Sequence, residues 1–337
     1  MIFLLPRDDE PSGGNVYDRR VADGLRSAGW DVTEIAVQGS WPRPSEAERA
    51  TLAVELAAIP DDTLVLADGL VGCGAPDVVV PHAARLRLVV LVHMSLSDEN
   101  GADLDAGERA TLRAARAIVT TSSAAAARLR ARHGLSDVHI APPGTDPAGL
   151  ATGTDGVSRL LCVAAVTPLK GQDVLVQALA PLAARSWTCD CAGPLTRAPE
   201  YVLTVRNLIG RHGLSERVRL LGTLTGEPLE RAYAAADLVV LPSRSETYGM
   251  VVAEALARGI PVVASAAPDA LGTAPDGSVP GLTFPPGDVR ALTDTLRSWF
   301  GDPDLRTRVR RSAGLRRGTL TPWTLTARQL AQVLATT

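Results

Sequence analysis

The chain has 337 residues, which is enough for about two domains of ordinary size. Apolar residues make up 46% and charged residues 21%, which is typical of a globular protein. These values exclude a disordered chain, a collagen-like repeat and a small disulfide scaffold. The net charge of −3 and the 4% of aromatic residues argue against a nucleic-acid partner, which would need a basic surface or stacking side chains.

Cysteine spacing and the length of the apolar runs indicate the cellular compartment of the protein. The cysteines follow neither the spacing of zinc ligands nor that of a disulfide framework, so we expect buried thiols in a reducing compartment. They are Cys73, Cys162, Cys189 and Cys191. The first apolar run, Ile2 to Leu5, is too short for a signal peptide, and no run approaches the roughly 20 residues of a membrane span. We therefore predict a cytoplasmic protein.

Short apolar runs alternate with amphipathic stretches, which predicts a series of strands and helices. The predicted strands of the first half are Met1–Leu5, Asp31–Val37, Thr63–Ala67, Leu88–Val92 and Ala117–Thr120. The helices between them include Tyr17–Ala28 and Ser123–His133. The predicted strands of the second half are Leu160–Val166, Thr188–Ala192, Val218–Leu221, Leu238–Leu241 and Pro261–Ala264. The helices there include Asp173–Ala184, Pro228–Ala235 and Met250–Arg258.

This alternation predicts an α/β protein with two Rossmann-like, doubly wound domains. Most predicted strands are apolar throughout, as parallel strands are when helices cover both faces of the sheet. The Pro- and Gly-rich stretch Ala141–Gly149 is the predicted linker, which gives domains over residues 1–150 and 151–320. Residues 321–337 form a last helix that we expect to pack back toward the N-terminal domain. Two such domains facing one another would bind a ligand in a cleft, at the carboxyl ends of both sheets.

A strand, a polar loop and a helix in the second half form the most informative segment. Glu246 lies in the loop, and Glu254 lies in the helix that begins near Gly249. The unpaired N–H groups of a helix start favour an anion such as a diphosphate, and a nearby carboxylate can accept hydrogen bonds from sugar hydroxyls. Taken singly, either glutamate could instead be a helix cap or an exposed helix residue. The segment as a whole favours a ligand site.

The chain contains a single lysine, Lys170, which follows the first predicted strand of the second half. A cation at a helix start opposes the helix dipole unless an anion binds there, so this position predicts contact with a phosphate. Gly13 and Gly14 follow the first strand of the chain. Glycines there could let the backbone approach a phosphate or sugar, or could form an ordinary turn.

Histidines and arginines give weaker signals. His93 closes a buried strand at the expected ligand edge, so a structural and a catalytic role are equally compatible with its position. We expect the other histidines at the surface, namely His82, His133, His139 and His212. Arginine-rich stretches at residues 109–132 and 306–317 are expected to be solvated helix faces, although peripheral contact with an anionic membrane remains an alternative.

Several of these segments together resemble one enzyme family. The phrase Ser243-Arg-Ser-Glu-Thr-Tyr-Gly-Met, followed by Glu254, resembles the E-x7-E signature of retaining glycosyltransferases of the GT-B fold, family 4 (glycosyl transferases group 1). Further segments resemble other family motifs in the same order along the chain. They are Gly13-Gly14, Leu91-Val-His93, Pro143-Gly-Thr-Asp146 and Leu169-Lys-Gly-Gln-Asp-Val-Leu175.

The resemblance implies a hexosyltransferase-type enzyme with a nucleotide-diphosphate sugar as donor, UDP- or GDP-linked, and an acceptor that the motifs do not identify. It implies catalytic roles for Glu246, Lys170 and His93, with Glu246 on sugar hydroxyls, Glu254 on ribose hydroxyls and His93 at the donor sugar. It implies a front-face mechanism with retention, without a metal ion or a cofactor. The implied donor-binding residues are Gly13, Gly14, Lys170, Arg244, Thr247, Tyr248, Gly249, Met250, Val251 and Glu254.

The chain departs from the family pattern at one position. Family members commonly carry an arginine five residues before the lysine, where this chain has Ala165. Either Lys170 acts without that partner or Arg244 supplies the second charge, unless Arg244 pairs with a carboxylate. Contacts to the acceptor are expected from three loops of the first half, Asp8–Asn15, Gly69–Pro76 and Ser95–Asp105.

Other functions are compatible with the same fold. They are a sugar-nucleotide epimerase, a phosphorylase-like enzyme and a two-lobed ligand-binding protein without catalysis. Release of nucleoside diphosphate with and without an acceptor distinguishes them, because an epimerase needs no acceptor and a phosphorylase needs inorganic phosphate.

Overall fold

A computed structural model describes residues 1–7, 10–265 and 268–337. The chain folds into two compact units, which we call unit 1 (Met1–Gly144 with Thr321–Thr337) and unit 2 (Thr145–Leu320). The sequence predicted the first division at residue 150, and the structure has it at Gly144, before the proline- and glycine-rich stretch ends. Asp8 and Asp9, in one of the loops expected to bind the acceptor, lie outside the described residues.

Unit 1 contains a parallel sheet with helices after most strands. Its described strands are β1 (Ile2–Pro6), β2 (Thr33–Val37), β3 (Leu64–Asp68), β4 (Arg87–Val92), β5 (Ala117–Thr120) and β6 (His139–Ile140). Its first described helices are α1 (Gly13–Ser27), α2 (Glu46–Ala58), α3 (Gly69–Gly74), α4 (Pro76–Val79), α5 (Leu96–Asn100), α6 (Asp105–Ala114) and α7 (Ser123–His133).

The strand order of this sheet is β2-β1-β3-β4-β5-β6, so the order reverses between β1 and β3. Successive side chains of a strand point to opposite faces, and both faces of this sheet are buried. Phe3 and Leu66 belong to one apolar cluster, whereas Leu4 and Val65 belong to another. This double burial explains why the strands have no polar alternation in the sequence.

Unit 2 has the same kind of architecture. Its described strands are β7 (Arg159–Val163), β8 (Thr188–Ala192), β9 (Val218–Gly222), β10 (Leu238–Leu241), β11 (Val262–Ala264) and β12 (Gly281–Thr283). Its described helices are α8 (Gln172–Leu179), α9 (Pro199–Arg211), α10 (Gly226–Ala234), α11 (Met250–Ala257), α12 (Pro268–Leu271), α13 (Val289–Gly301) and α14 (Pro303–Arg317). A last helix, α15 (Trp323–Thr336), belongs to unit 1.

The strand order of unit 2 is β12-β11-β10-β7-β8-β9, all parallel, and it reverses between β7 and β10. In a doubly wound sheet a ligand binds outside the carboxyl ends of the strands at such a reversal, because the two neighbouring loops diverge there. The predicted α/β fold is confirmed in both units. The cysteines, which the sequence predicted to be buried thiols, are free and buried.

Helix α15 packs on α1 within unit 1. Leu330 and Leu334 join the apolar cluster of Phe3, and the ring of Trp323 lies edge-on to Tyr17 at 5.8 Å between ring centroids. A Cβ on Gly144 would lie 2.3 Å from the backbone of Trp323, so only glycine allows this approach. The end of the chain is therefore part of the unit 1 core.

Many arginines of the two arginine-rich stretches donate hydrogen bonds to carbonyl oxygens of the chain itself. The pairs are Arg113 with His133, Arg130 with Val138, Arg306 with Trp299, Arg310 with Gly156, Arg316 with Leu271 and Arg317 with Ala257. These side chains satisfy backbone groups that the ends of helices and strands leave without partners. Among the described helices, none combines the length and the apolar character needed to span a bilayer.

Candidate functional site

Lys170 and Glu246 meet at the point in unit 2 where the strand order reverses. Lys170 lies in the turn after β7 and Glu246 in the loop after β10, and these two strands are neighbours. The Lys170 Nζ atom is 2.7 Å from Oε2 of Glu246, and the two side chains are 23% and 11% exposed. The hydroxyl of Ser243 donates to the same carboxylate oxygen at 3.3 Å. The structure therefore brings together two residues that are 76 positions apart in the sequence.

The backbones of these two loops are in close contact. Gly171 has φ +69°, and a Cβ at this position would lie 2.2 Å from the carbonyl oxygen of Pro242. The N–H of Arg244 donates to the carbonyl oxygen of Leu169 at 2.7 Å. Glycine is required here for both the left-handed conformation and the space. The turn that carries Lys170 is thus held directly against the loop that carries Glu246.

Arg244 strengthens this contact through its side chain. Its guanidinium forms a two-point ion pair with Asp173, at 2.9 and 2.7 Å, and donates to the carbonyl oxygen of Pro168 at 2.6 Å. Partial burial opposes ionisation of Asp173, but the hydrogen bonds from Arg244 and Tyr201 outweigh it and lower the pKa of the carboxyl. The sequence left the role of Arg244 open, and in the structure its charge is paired with Asp173.

The start of α11 faces the same loop. Gly249 precedes the helix with φ +85°, and its carbonyl oxygen accepts from the N–H groups of Val252 and Ala253. No backbone acceptor is found within the described residues for the N–H groups of Met250 and Val251. Such donors, together with the helix dipole, favour a bound anion.

Thr247 and Tyr248, which lie just before this helix, differ in exposure. Thr247 is half-buried, so its hydroxyl remains partly accessible. The ring of Tyr248 is buried in the apolar cluster of Val252 and Leu271. Tyr248 can therefore offer a ligand its backbone, while its side chain packs the core.

Glu254 is held from within unit 2 by Tyr233. Oε2 of Glu254 accepts from the Tyr233 hydroxyl at 2.7 Å. Oε1 has no hydrogen-bond partner in the part of the chain that the structure describes. Arg258 stacks on the Tyr233 ring at 4.4 Å and donates to the backbone oxygen of Glu254. Burial raises the pKa of Glu254 and the Tyr233 hydrogen bond opposes the rise. One carboxylate oxygen is therefore fixed and the other is available to a ligand.

His93 lies in unit 1, directly after β4, with two buried carboxylates. Its Nε2 atom is 2.8 Å from Oδ1 of Asp18 on α1 and 3.4 Å from Oδ2 of Asp68 at the end of β3. Asp18 and Asp68 are 4% and 1% exposed, and the His93 side chain is 19% exposed. A Cβ on Gly14 would lie 3.3 Å from the His93 ring, so the predicted glycine and histidine are neighbours.

Gly13 is the first residue of α1, whose cap is the Ser12 side chain. This glycine therefore belongs to the helix rather than to the loop before it.

The protonation of the His93 cluster follows from its burial. Burial alone would lower the pKa of His93, but the charges and hydrogen bonds of Asp18 and Asp68 outweigh it and raise the pKa to about 10. Burial raises the pKa of Asp18 to about 7 against the opposing charge of His93. The positive charge on His93 and the proton on Asp18 below pH of about 7 both reduce the excess negative charge in this buried cluster. A low net charge is what a buried position requires.

A second buried polar cluster corrects the expectation that His133 lies at the surface. His133 is 1% exposed, and its Nε2 atom is 3.1 Å from Oε2 of Glu108. Glu108 also accepts from the Ser95 hydroxyl and the Leu96 N–H. The position of His133, in the last turn of an arginine-rich helix, suggested exposure, but the polar partners of a buried residue cannot be read from its own neighbours in sequence. Glu108 and His133 hold the start of the loop expected at residues 95–105.

Both clusters have a spacing that could suit a metal ion, with Asp105 completing the second. We assign neither as a metal site. In the first, the imidazole already lies between the carboxylates. In the second, Arg109 and Arg132 pair with Asp105. In the described part of unit 2, no such cluster surrounds Lys170.

Sequence reasoning missed the partners that hold the predicted residues. Asp68 closes an apolar strand next to that of His93, so the rule that singled out His93 could also have found Asp68. Asp18 is a helix residue without such a signal. Tyr233 and Asp173 lie in segments that resemble family motifs, but the sequence predicted no role for either side chain. Their roles depend on packing between elements.

Comparison with known proteins places this geometry in a family. The model of the family described as glycosyl transferases group 1 matches residues 154–316. A relative from Pseudarthrobacter chlorophenolicus, named D-inositol 3-phosphate glycosyltransferase, is 30% identical over 92% of this chain and 87% of its own length. A relative of the same name from Salinispora tropica is 35% identical over 45% of this chain. That match spans only 33% of the Salinispora protein, and a match to a Catenulispora acidiphila relative spans 54% of that protein.

Solved structures show the same fold. The Anabaena protein HepE, crystallised with UDP and glucose, has a TM-score of 0.78 and 20% identity, with all of both chains covered. Sucrose-phosphate synthase from Thermosynechococcus elongatus has a TM-score of 0.80 and 21% identity, with 99% of this chain and 98% of that chain covered. These structures show the GT-B fold, whereas the family follows from the family model and the Pseudarthrobacter relative. The chain belongs to the glycosyl transferases group 1 family.

Proposed function

We propose that the protein transfers a sugar from a nucleotide-diphosphate sugar to an acceptor hydroxyl, with retention of configuration and without a metal ion. The observation that carries the proposal is the pairing of Lys170 with Glu246 where the strand order of unit 2 reverses. A cation and a hydrogen-bond acceptor at this position suit the diphosphate and the sugar of such a donor. The HepE structures with UDP and with UDP-glucose make a uridine donor the first to test.

Each residue has one role in this proposal. Lys170 and the N–H groups at the start of α11 bind the diphosphate and stabilise the charge that develops on it. Glu246 accepts hydrogen bonds from the sugar, and Oε1 of Glu254 accepts one from the ribose. Arg244 holds the loops through Asp173, so it acts on the site through their positions rather than as a second phosphate ligand.

In the proposed binding mode, the donor separates Lys170 from Glu246. The diphosphate attracts the ammonium group while the sugar hydroxyls donate to the carboxylate, so each residue exchanges one charge-assisted hydrogen bond for another. The exchange costs little when both parts of the donor are present. It costs more for a nucleoside diphosphate alone, because Glu246 then loses the cation and gains no sugar hydroxyl.

In the proposed reaction the bond from the anomeric carbon to the diphosphate oxygen breaks, and a bond to the acceptor oxygen forms on the same face of the sugar. The acceptor proton passes to the departing phosphate oxygen. Positive charge for the leaving group comes from Lys170 and the α11 amides, which is why we propose no metal. The free, buried cysteines accord with a cytoplasmic location, which we also propose.

Ligand-induced stabilisation tests the donor site. A ligand that binds only the folded protein raises the melting temperature, so a panel of UDP-, GDP-, ADP- and TDP-sugars should show a shift for at least one. Lys170→Ala and Glu254→Gln should abolish the shift. Arg206→Ala and Glu216→Gln change exposed residues of the same unit for which we find no hydrogen bond or ion pair within the described residues, so they should keep it. Full shifts in both site variants would show that the site is assigned wrongly.

Product analysis tests the reaction. With the donor so identified, nucleoside diphosphate should be released only when an acceptor is added. D-Inositol 3-phosphate is the first acceptor to try, because relatives carry its name. Conversion of donor without acceptor would instead indicate an epimerase, and a requirement for inorganic phosphate would indicate a phosphorylase-like enzyme. Inversion at the anomeric carbon would contradict retention.

A further inference from the structure

The two carboxylates beside His93 restrict what this histidine can do. Both lie on the same ring nitrogen, Nε2, and neither has an arginine or lysine partner among the described residues. Asp68 is further fixed by the N–H of Leu70, which donates to its Oδ1 at 2.6 Å. Nε2 is therefore already occupied by the hydrogen bond with Asp18 and by the Asp68 carboxylate, so it is not the nitrogen that meets a substrate.

The second ring nitrogen, Nδ1, is in a different situation. It has no hydrogen-bond partner within the described residues. It is also not one of the fully buried polar atoms, so it is accessible from outside. His93 also lies at the carboxyl edge of unit 1, one strand from the point where the strand order reverses between β1 and β3. Nδ1 is thus the ring nitrogen that a ligand can reach.

His133 shows what a purely structural histidine looks like in the same unit. It also pairs through Nε2 with a carboxylate, that of Glu108, but its side chain is fully buried and its Nδ1 is a buried atom without a partner. No ligand can reach that ring. The difference between the two histidines lies in access to Nδ1.

We propose that Asp18 and Asp68 are positioning residues that hold His93 as an imidazolium, whose Nδ1–H binds an oxygen of a ligand at the carboxyl edge of unit 1. The ligand chemistry is a hydroxyl or phosphate oxygen, from either the donor or the acceptor. His93 then acts as a hydrogen-bond donor and not as a base. The identity of the ligand rests on the proposed glycosyl transfer, whereas the charge of the ring does not.

The groups that face His93 determine the pKa of its ring. They are Asp18 and Tyr17 from α1 and Asp68 from β3, with the Tyr17 ring edge-on at 5.1 Å. Tyr17 is buried and donates its hydroxyl to the carbonyl oxygen of Ala141, so it stays neutral. Asp18 titrates within the cluster without removing the charge of His93, because Asp68 still opposes its loss.

Nuclear magnetic resonance of the whole chain labelled at histidine carbons tests the charge directly. The His93 signals, assigned with His93→Gln, should titrate near pH 10 or not at all below it. In Asp18→Asn the midpoint should fall by more than one pH unit, and in Asp23→Asn, an exposed position on the same helix, it should not move. A wild-type midpoint near the ordinary value of about 6.5, or no fall in Asp18→Asn, would overturn the proposal.

Kinetics test whether the ring meets a ligand. Between pH 6 and 9 the wild-type KM values for donor and acceptor should change by less than about threefold, since the ring stays charged. In Asp18→Asn one of the two should rise about tenfold across the same range as the ring loses its proton, with kcat less affected. The substrate whose KM rises identifies the ligand. If the pKa of the His93 ring falls in Asp18→Asn but both KM values depend on pH as in the wild type, His93 does not bind a ligand. If no nucleotide sugar is turned over, the resonance experiment still decides the charge.

Discussion

At the scale of residues, the Lys170–Glu246 ion pair is the contact on which the proposed binding of the donor depends. Both partners are largely buried, and the Ser243 hydroxyl orients the carboxylate. A pair of this kind is worth more than an exposed one because fewer waters compete with it. Binding energy for a diphosphate is therefore reduced by the energy of the pair that must open.

Removing the negative charge of Glu246 should strengthen the binding of a nucleoside diphosphate that carries no sugar. In Glu246→Gln the ion pair with position 246 no longer has to open, so we expect affinity about fivefold higher, equivalent to about 1 kcal/mol. Transfer of the sugar should fall at the same time, because the amide accepts hydrogen bonds less well. Titration calorimetry measures the first effect, with Glu216→Gln as the matched change. Weaker binding of the diphosphate in Glu246→Gln would contradict the competition between these partners.

At the scale of elements, the contact between the turn after β7 and the loop after β10 sets the position of both residues. It consists of the Gly171 backbone against Pro242, the Arg244 N–H on Leu169, and the Arg244 side chain on Asp173. Because β7 and β10 are neighbouring parallel strands, their following loops begin at the same sheet edge. The site is thus built on two rigid strand ends.

A side chain at Gly171 should disrupt this contact more than backbone strain alone would. Gly171→Ala would have φ +69° and a Cβ 2.2 Å from a carbonyl oxygen, whereas Gly213→Ala would have φ +66° with nothing within 4 Å. We expect Gly213→Ala to lower the free energy of unfolding by about 1 kcal/mol through strain, and Gly171→Ala by about 2 kcal/mol more. Urea denaturation measures both. Equal losses would show that the two loops can separate without cost.

Elements were predicted well wherever burial on both faces leaves a long apolar run. Strands β3, β4 and β10 are of this kind, and their observed limits differ from the predicted ones by a residue or so. The edge strands β6 and β12 were not predicted, because two or three residues are too few for a pattern. Lys170 and Glu246 could be predicted because each lies in a motif at a strand end. Asp18 could not, because its importance comes from a histidine 75 positions away.

At the scale of the whole molecule, each unit buries both faces of its sheet in separate apolar cores. Each unit places polar groups at its strand reversal, but the groups differ. Unit 2 has an ion pair with partial exposure, whereas unit 1 has a nearly buried cluster whose charge depends on pH. The cluster in unit 1 should therefore make the stability of the chain depend on pH.

The direction of that variation follows from proton binding. Asp18 and His93 both have a higher pKa in the folded protein than in the unfolded chain, so the folded state binds more protons. The contribution of Asp18 is complete below its unfolded pKa of about 4 and is lost as the pH rises through about 7. That of His93 is complete below about 6.5 and is lost as the pH rises through about 10. Stability should thus fall steadily from acid to alkaline pH.

Asparagine at position 18 should reduce this slope, because it resembles the protonated acid at every pH and leaves Asp68 alone to raise the pKa of His93. The denaturation midpoint in urea, followed from pH 5 to 9, should fall for the wild type and for the matched variant Asp23→Asn, and should fall clearly less for Asp18→Asn. A wild-type midpoint that rises over this range would mean that the folded state releases protons rather than binds them, and that Asp18 is ionised in the core. As a control in unit 2, Glu216→Gln changes an exposed carboxyl and should leave the slope of the wild type unchanged.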